Sequence, residues 1–343
     1  MTPNDLNGKT IDPTALSTDA AMMTTVADFY NSHPITLFVA SRLSGGYGAY
    51  AQAVAAHLPK HLPGHPRLSI ETMEEEAGLR LANALATTMP RDGSVIAAIQ
   101  GANTVESLLN PTDAVKFDGR SLNWIGSISR QNNTVITWHS SDIKTIEDAR
   151  KRDVSAGAEN AFSNTGTMGN ILNALLGTRF KTVYGYGGEA LNRALETGEV
   201  EAVCGWGYAT LLAAHAEWLE AGRVNILVHT GLEPDPLMPD VPRTIDYAKS
   251  ESDRRVIRLM DTRQAMGRPY AAPPGVPADR LAALRRGFAE TLKDPAFLAE
   301  AKARRLIIDP IDHVEMARIV AGAYALPPEV VRRTWNLLNG LGS

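Results

Sequence analysis

Ser44-Gly45-Gly46-Tyr47 is the stretch of this 343-residue chain whose residue types best suit chemistry with an anion. It follows an apolar run, Ile35 to Ala40, that reads as a buried strand. It precedes Tyr50, Ala51, Val54, Ala55 and Leu58, which recur at helical spacing. The glycines therefore open a helix whose first N–H groups lack partners and whose dipole end is positive, and they let a ligand approach the backbone. Gly45, Gly46 and Gly48 do not reproduce G-x-G-x-x-G, and no Gly-Lys-Ser/Thr follows, so neither a dinucleotide site nor a P-loop is supported. The competing reading is a glycine turn that only joins a strand to a helix.

Other reactive residues carry weaker signals. His57, His61 and His65 recur every fourth residue, but Pro59 and Pro63 interrupt any helix on which they could clamp a metal, so no metal site is expected. Trp138-His139-Ser140-Ser141-Asp142 gathers the residue types of a hydrolase triad, yet adjacent residues seldom point at one another and triads assemble from distant positions. Cys204 lies in an apolar strand, where a thiol is buried and inert, and a single cysteine forms no internal disulfide. Trp206 and Tyr208 could stack on a planar ligand or pack in the core. No nucleophile paired with a base is legible, and the expectation is a binding protein without catalysis, cofactor or metal.

The elements that position these residues alternate in kind. Arg67–Thr72 and Ser94–Ile99 read as strands, each ending in a loop, Met73–Gly78 and Gln100–Asn103, before helical material. Asn123–Ser129, Thr134–Trp138, Val154–Ala158, Thr182–Tyr184, Val200–Cys204 and Ile226–His229 read as further strands, several followed by small-residue turns. Ala271–Pro277 reads as a stiff proline-rich crossing, followed by helices over Ala278–Leu292, Pro295–Arg305 and Val314–Tyr324 and a last one from Glu329. Ligands in open α/β sheets sit beyond the carboxyl ends of strands, so the glycine-bearing loops gather at one edge. The net charge of -4 gives no basic excess for nucleic acid, and no apolar run approaches the ~20 residues that span a bilayer. The first thirty-four residues carry no basic stretch followed by an apolar one, so either the protein is cytoplasmic or an export signal was removed.

Seven strings carry a resemblance: ITLFVASRLSGGYGAYAQ, ATTMPRDGSVIAAI, NWIGSIS, ALETGEVEAVCGWGYA, LMPDVPRTIDYA, RQAMGRPYAAPPGVPADRL and LKDPAFLAEAKA. In this order the chain, from about Phe29 to its end, resembles the extracytoplasmic solute-binding receptors of tripartite tricarboxylate transporters, the Bordetella uptake gene type. The resemblance implies an α/β, two-lobed periplasmic binding protein fold of type II (Venus flytrap), each lobe a mainly parallel sheet flanked by helices. Residues 1–34 would be an N-terminal extension, 35–133 and 267–343 the first lobe with the C-terminal helices, and 134–266 the second, with a ligand cleft between them. A small organic acid would be held from the first lobe by Ser44, Gly45, Gly46 and Tyr47, by the loop at Glu75, and by Gln100 and Gly101. The second-lobe grip would come from Thr165, Gly166, Thr167, Tyr186, Gly187, Gly188, Gly205 and Trp206.

The resemblance further implies a periplasmic monomer that delivers its solute to membrane transporter subunits; a sensor acting on a signalling partner, or a binder of a neutral or amine-bearing solute, is the alternative. Two departures stand out. The family often has aspartate at Gly48 and arginine at Gln52, and its second loop is usually Pro-Gly-Ala-Gly where this chain has Glu74-Glu75-Glu76-Ala77. Carboxylates facing the cleft would repel a dicarboxylate, so these glutamates either turn to solvent or select a different ligand.

Overall fold

Two sheets, of six and five strands, organise the chain. The structure, a computed structural model, describes residues 25–161 and 163–341; of the first thirty-four residues, read for an export signal and as an N-terminal extension, 1–24 lie outside the described residues. Helix α1 (25–32) sends Val26 and Tyr30 into the first core, where the Tyr30 hydroxyl donates to the Gly93 carbonyl at 3.0 Å. Strand β1 (Ile35–Val39) alternates buried Ile35, Leu37 and Val39 with half-buried Thr36 and Phe38, so successive side chains enter the cores on opposite faces of the sheet. Helix α2 (Gly46–His57) buries Tyr50, Ala51 and Val54 on the β1 side.

The chain continues through β2 (Leu68–Thr72), α3 (Leu79–Thr87), β3 (Val95–Ala98), the short α4 (Glu106–Leu109) and β4 (Asn123–Ser127). It then enters the second sheet with β5 (Asn133–Trp138), α5 (Ile146–Lys151), β6 (Val154–Ala158), α6 (Asn164–Leu176), β7 (Phe180–Tyr184), α7 (Glu189–Thr197), β8 (Ala202–Gly207), α8 (Tyr208–Ala214), α9 (Ala216–Glu220) and β9 (Val224–His229). Helix α10 (Glu251–Ala265) leads back to the first sheet, which is completed by β10 (Pro269–Ala272) and β11 (Ile311–Asp312) among α11 (Ala278–Thr291), α12 (Pro295–Ala303), α13 (His313–Tyr324) and α14 (Pro328–Leu338).

Both sheets are mixed, where the sequence reading expected mainly parallel ones. Strand β1 pairs in parallel with β2 and β3, and β6 with β7 and β8, because helical crossovers join them; β10, β11, β5 and β9 pair antiparallel with their neighbours. The first two residues of the stretch read as a stiff crossing, Ala271 and Ala272, end β10, a central strand between β3 and β4, which starts at Pro269, a position where the missing N–H is tolerated. Of the C-terminal helices, α11 buries Leu281, Leu284 and Phe288 in the first core, whereas α14 buries Val330 and Leu337 in the core of the second sheet.

Histidines 57 and 61 bind α12 rather than a metal. The His57 Nε2 lies 2.9 Å from Glu300 and the His61 Nε2 2.7 Å from Asp294, which also pairs with Lys60. No metal-binding cluster of histidine, cysteine or carboxylate residues occurs among the described residues, and none of their helices is long and apolar enough to cross a membrane.

Candidate functional site

The turn 44–47 and the two segments joining the sheets meet at one place. Helix α2 begins at Gly46 after an extended Gly45; no side chain caps this end and no acid stands in its first turn. Ser44 and Gly46 are exposed there, and Gly45 and Tyr47 are half-buried. A Cβ on Gly48 would lie 2.4 Å from the Leu43 backbone, so the incoming turn folds against the helix only with glycine at that position. Gln52 fixes the same turn by donating from Nε2 to the Leu43 carbonyl at 2.9 Å. This is the structural meaning of the departures at Gly48 and Gln52.

The sequence reading missed Arg268, which supplies a cation to this turn. Its guanidinium carbon sits 4.3 Å from the Tyr47 ring centroid and 5.0 Å from that of Tyr50, the geometry of cation–π attraction. Its Nη2 is 3.4 Å from where a Cβ on Gly46 would stand. Its Nη1 donates to the Gln131 Oε1 at 2.8 Å and to the Gly267 carbonyl at 2.6 Å, while its Nε is buried with no hydrogen-bond partner among the described residues. Gln131 and Arg268 belong to the two connections between the sheets, which bond each other: the Gly267 N–H donates to the Ser129 carbonyl at 2.9 Å and the Ile128 N–H to the Arg268 carbonyl at 3.1 Å. Gly267 itself permits the crossing, since a Cβ there would lie 2.9 Å from the Gln131 Cβ. The string GRP was the available signal, because it places a cation immediately after the crossing glycine.

Gly101 joins this assembly with its amide already engaged. Its N–H donates to the Tyr47 hydroxyl at 3.0 Å, and a Cβ would meet the Met266 carbonyl at 2.4 Å. Gln100 donates from Nε2 to the Ala40 carbonyl at 2.8 Å, so both residues hold the turn in place rather than presenting free amides. Tyr47→Phe is accordingly expected to leave the buried Gly101 N–H unpaired and to cost about 1–3 kcal/mol, read as a lower denaturant midpoint at unchanged slope. An unchanged midpoint would contradict this.

Glu75 lies at the surface, bonded to Arg80 at 2.8 Å, as Glu74 is to Arg42 at 3.2 Å; side chains on both pairs are about half exposed or more. In the second sheet, Gly205 (φ +84°) presses the end of β8 onto the first turn of α6, where a Cβ would lie 2.7 Å from the Asn164 carbonyl. Helix α6 is capped internally: the Gly166 N–H donates to the Ser163 Oγ at 3.1 Å, the Thr167 N–H to the Ser163 carbonyl at 3.1 Å, and the Thr165 hydroxyl lies 3.1 Å from the Ser163 Oγ. Trp206 packs edge-on against Trp218, 6.2 Å between centroids, and beside His215 at 5.7 Å. The Tyr186 hydroxyl donates to Glu199 at 2.7 Å, which raises its pKa, and Gly187 and Gly188 lead into α7. The bridge from the first-sheet turn to this side is Gln131, whose Nε2 is 3.7 Å from a Cβ position on Gly207, the residue after Trp206.

Two reactive clusters are disarmed. Burial pushes the Cys204 thiol far up, out of the thiolate range. Asp142 pairs with Arg152, and the Ser141 Oγ accepts from the Ile143 N–H at 3.1 Å, so His139, Ser141 and Asp142 form no relay.

No protein-family model matches the chain, and no curated relative matches it significantly. Solved structures do. A TctC solute-binding protein from Polaromonas superposes with a TM-score of 0.70 at 16% identity, over 91% of this chain and 99% of that one. An R. palustris protein with adipate gives 0.59 at 19% identity over 89% and 98%, and the Rhodopseudomonas palustris protein MatC with bound malate gives 0.56 at 16% over 90% and 99%. With its two helix-flanked sheets joined by paired connections, the chain has the two-lobed fold of these structures, the TctC solute-binding protein among them.

Proposed function

We propose that this protein is an extracytoplasmic solute-binding receptor of the tripartite tricarboxylate type, which captures a small organic acid between its lobes and delivers it to membrane transporter subunits. The observation that carries the reading is the Arg268 guanidinium, set beside the uncapped start of α2 at Gly46 and held by two tyrosine rings. A carboxylate there accepts from first-turn amides and from the guanidinium together. Residues 35–133 with 267–343 form one lobe and 134–266 the other, except that α14 packs Val330 and Leu337 into the core of the second lobe, with the Gln131–Arg268 contact at their hinge.

Magnitudes explain why both partners are required. Micromolar binding is about -8 kcal/mol. A helix terminus supplies about 0.3–1 kcal/mol at an exposed site, and each hydrogen bond to a charged group about 1.5–3 kcal/mol. Closure of the lobes over the ligand excludes water and strengthens each of these contacts. No chemistry on the solute is part of this reading, in keeping with the buried thiol and the unassembled triad.

Malate and adipate, ligands in two of the similar structures, are the first probes. Arg268→Met is expected to weaken dicarboxylate binding about ten- to a hundredfold by calorimetry, the equivalent of one charge-assisted contact. Equal affinity in the variant would remove Arg268 from the site and the reading with it.

A further inference from the structure

We infer that Arg305 is a positioning residue for solute capture, a strap from the first lobe that fixes helix α8 of the second lobe relative to the Arg268 site. Such a strap regulates the site assigned above and rests on that reading for its ligand.

The backbone at Arg305 calls for a different residue. Helix α12, which buries Phe297 in the first core, ends in two bonds, from the Leu306 N–H to the Ala301 carbonyl at 2.8 Å and from the Arg305 N–H to the Lys302 carbonyl at 3.1 Å. This closing pattern puts position 305 in the left-handed region, where glycine is the usual choice, and Arg305 has φ +55°. Glycine would end the helix with less strain, so what an arginine adds here is its side chain. The Arg305 Nη1 donates to the Ala213 carbonyl at 3.0 Å, in the last turn of α8, a helix whose Leu211 lies in a core of the second sheet. Carbonyls at that end of a helix lack intrahelical partners and form the negative pole of its dipole, which suits a cation.

The strap is also fastened to the helix that opens the site. Tyr50 of α2 clasps Ile307 with one hydroxyl, which accepts from the Ile307 N–H at 2.9 Å and donates to the Ile307 carbonyl at 3.1 Å. Arg304 reaches the same helix, its Nη2 donating to the Gln52 Oε1 at 3.3 Å. The Tyr50 ring is one of the two that hold the Arg268 guanidinium, and α8 starts directly after Gly207, beside the Gln131 to which Arg268 donates. Strap and site therefore share α2 on one lobe and the start of α8 on the other. Two cavities, of about 450 and 380 Å³, adjoin the crossing and have Leu212, Ile307 and Ile308 in common, so the lobes have room to shift there once Arg305 lets go. A second lobe without its strap must be ordered anew at each closure, a cost that shortens the life of the complex.

The test uses the full chain, adipate and two readouts. In stopped-flow binding, Arg305→Gly is expected to speed adipate dissociation about tenfold and to leave association within about twofold, since the docking groups on α2 are untouched. Its melting temperature is expected to match or exceed that of wild type, because glycine relieves the left-handed backbone. Tyr50→Phe keeps the ring beside Arg268 and drops the clasp; it is expected to speed dissociation likewise, and the double variant no more than either change alone. The second readout is the distance between spin labels at Ala289→Cys on α11 and Glu196→Cys on α7, both exposed, with Cys204 buried away from the reagent. Without ligand, Arg305→Gly is expected to broaden the distribution of that distance. An unchanged distribution, or an unchanged dissociation rate in both Arg305→Gly and Tyr50→Phe, would overturn the strap. Adipate that fails to bind wild type would strike the receptor reading instead, and the label distance would then decide the strap alone.

Discussion

Replacing Gly46 with aspartate is expected to abolish carboxylate binding while the protein stays folded. A Cβ at this position meets only the Arg268 Nη2, at 3.4 Å, so the new carboxylate stands against the guanidinium and takes the place of the ligand's own. The substitution is structurally mild: Gly46 is exposed, its φ is outside the left-handed region, and an acid in the first turn of a helix favours the dipole by about 0.3–1 kcal/mol. Calorimetry should register affinity reduced at least a hundredfold, or about 2.7 kcal/mol, with a melting temperature equal to or above wild type. Gly46→Asn, nearly the same shape without the charge, should retain far more binding. Unchanged affinity in Gly46→Asp would mean that no anion docks at α2.

The second large effect concerns pH. Asp261, on α10, is 3% exposed; it accepts from the Gly231 N–H, and its Oδ2 has no hydrogen-bond partner. Burial raises its pKa from 3.8 to about 7, against smaller opposing contributions from Gly231 and Arg243. The folded state thus binds this proton more tightly than the unfolded chain does. Between about pH 4 and pH 7 the group's penalty grows as pH rises, and above pH 7 it is complete, on the order of 4 kcal/mol. Asp261→Asn should therefore stabilise the protein by an amount that is largest above pH 7 and vanishes below about pH 4. A stability difference independent of pH across that window would show that Asp261 titrates normally.

Local signals made much of the architecture readable. Val95–Ala98 and Val154–Ala158 are short apolar runs that became buried strands with little change of boundary, and the glycine turn at 44–46 opens a helix as its composition demanded. What stayed hidden depends on partners far away in the chain. Ala271 and Ala272 read as the start of a connector because their place in the central strand β10 is set by β3 and β4, more than a hundred residues earlier. The Gly101 amide was open to a ligand on paper, but the Tyr47 hydroxyl from the first turn of α2 occupies it. The glutamates at 74 and 75 posed a repulsion problem only until Arg42 and Arg80 were found beside them. Arg268 was passed over for the same reason: nothing local announces that it reaches two tyrosines more than two hundred residues away.

A crystal structure of the protein soaked or grown with a dicarboxylate tests the central claim most directly. One carboxylate should lie within hydrogen-bond distance of the Gly46–Tyr47 amides and of the Arg268 guanidinium, with the second lobe closed over it. A dicarboxylate bound away from α2, or a site at Arg268 filled by the protein's own side chains in the complex, would contradict it.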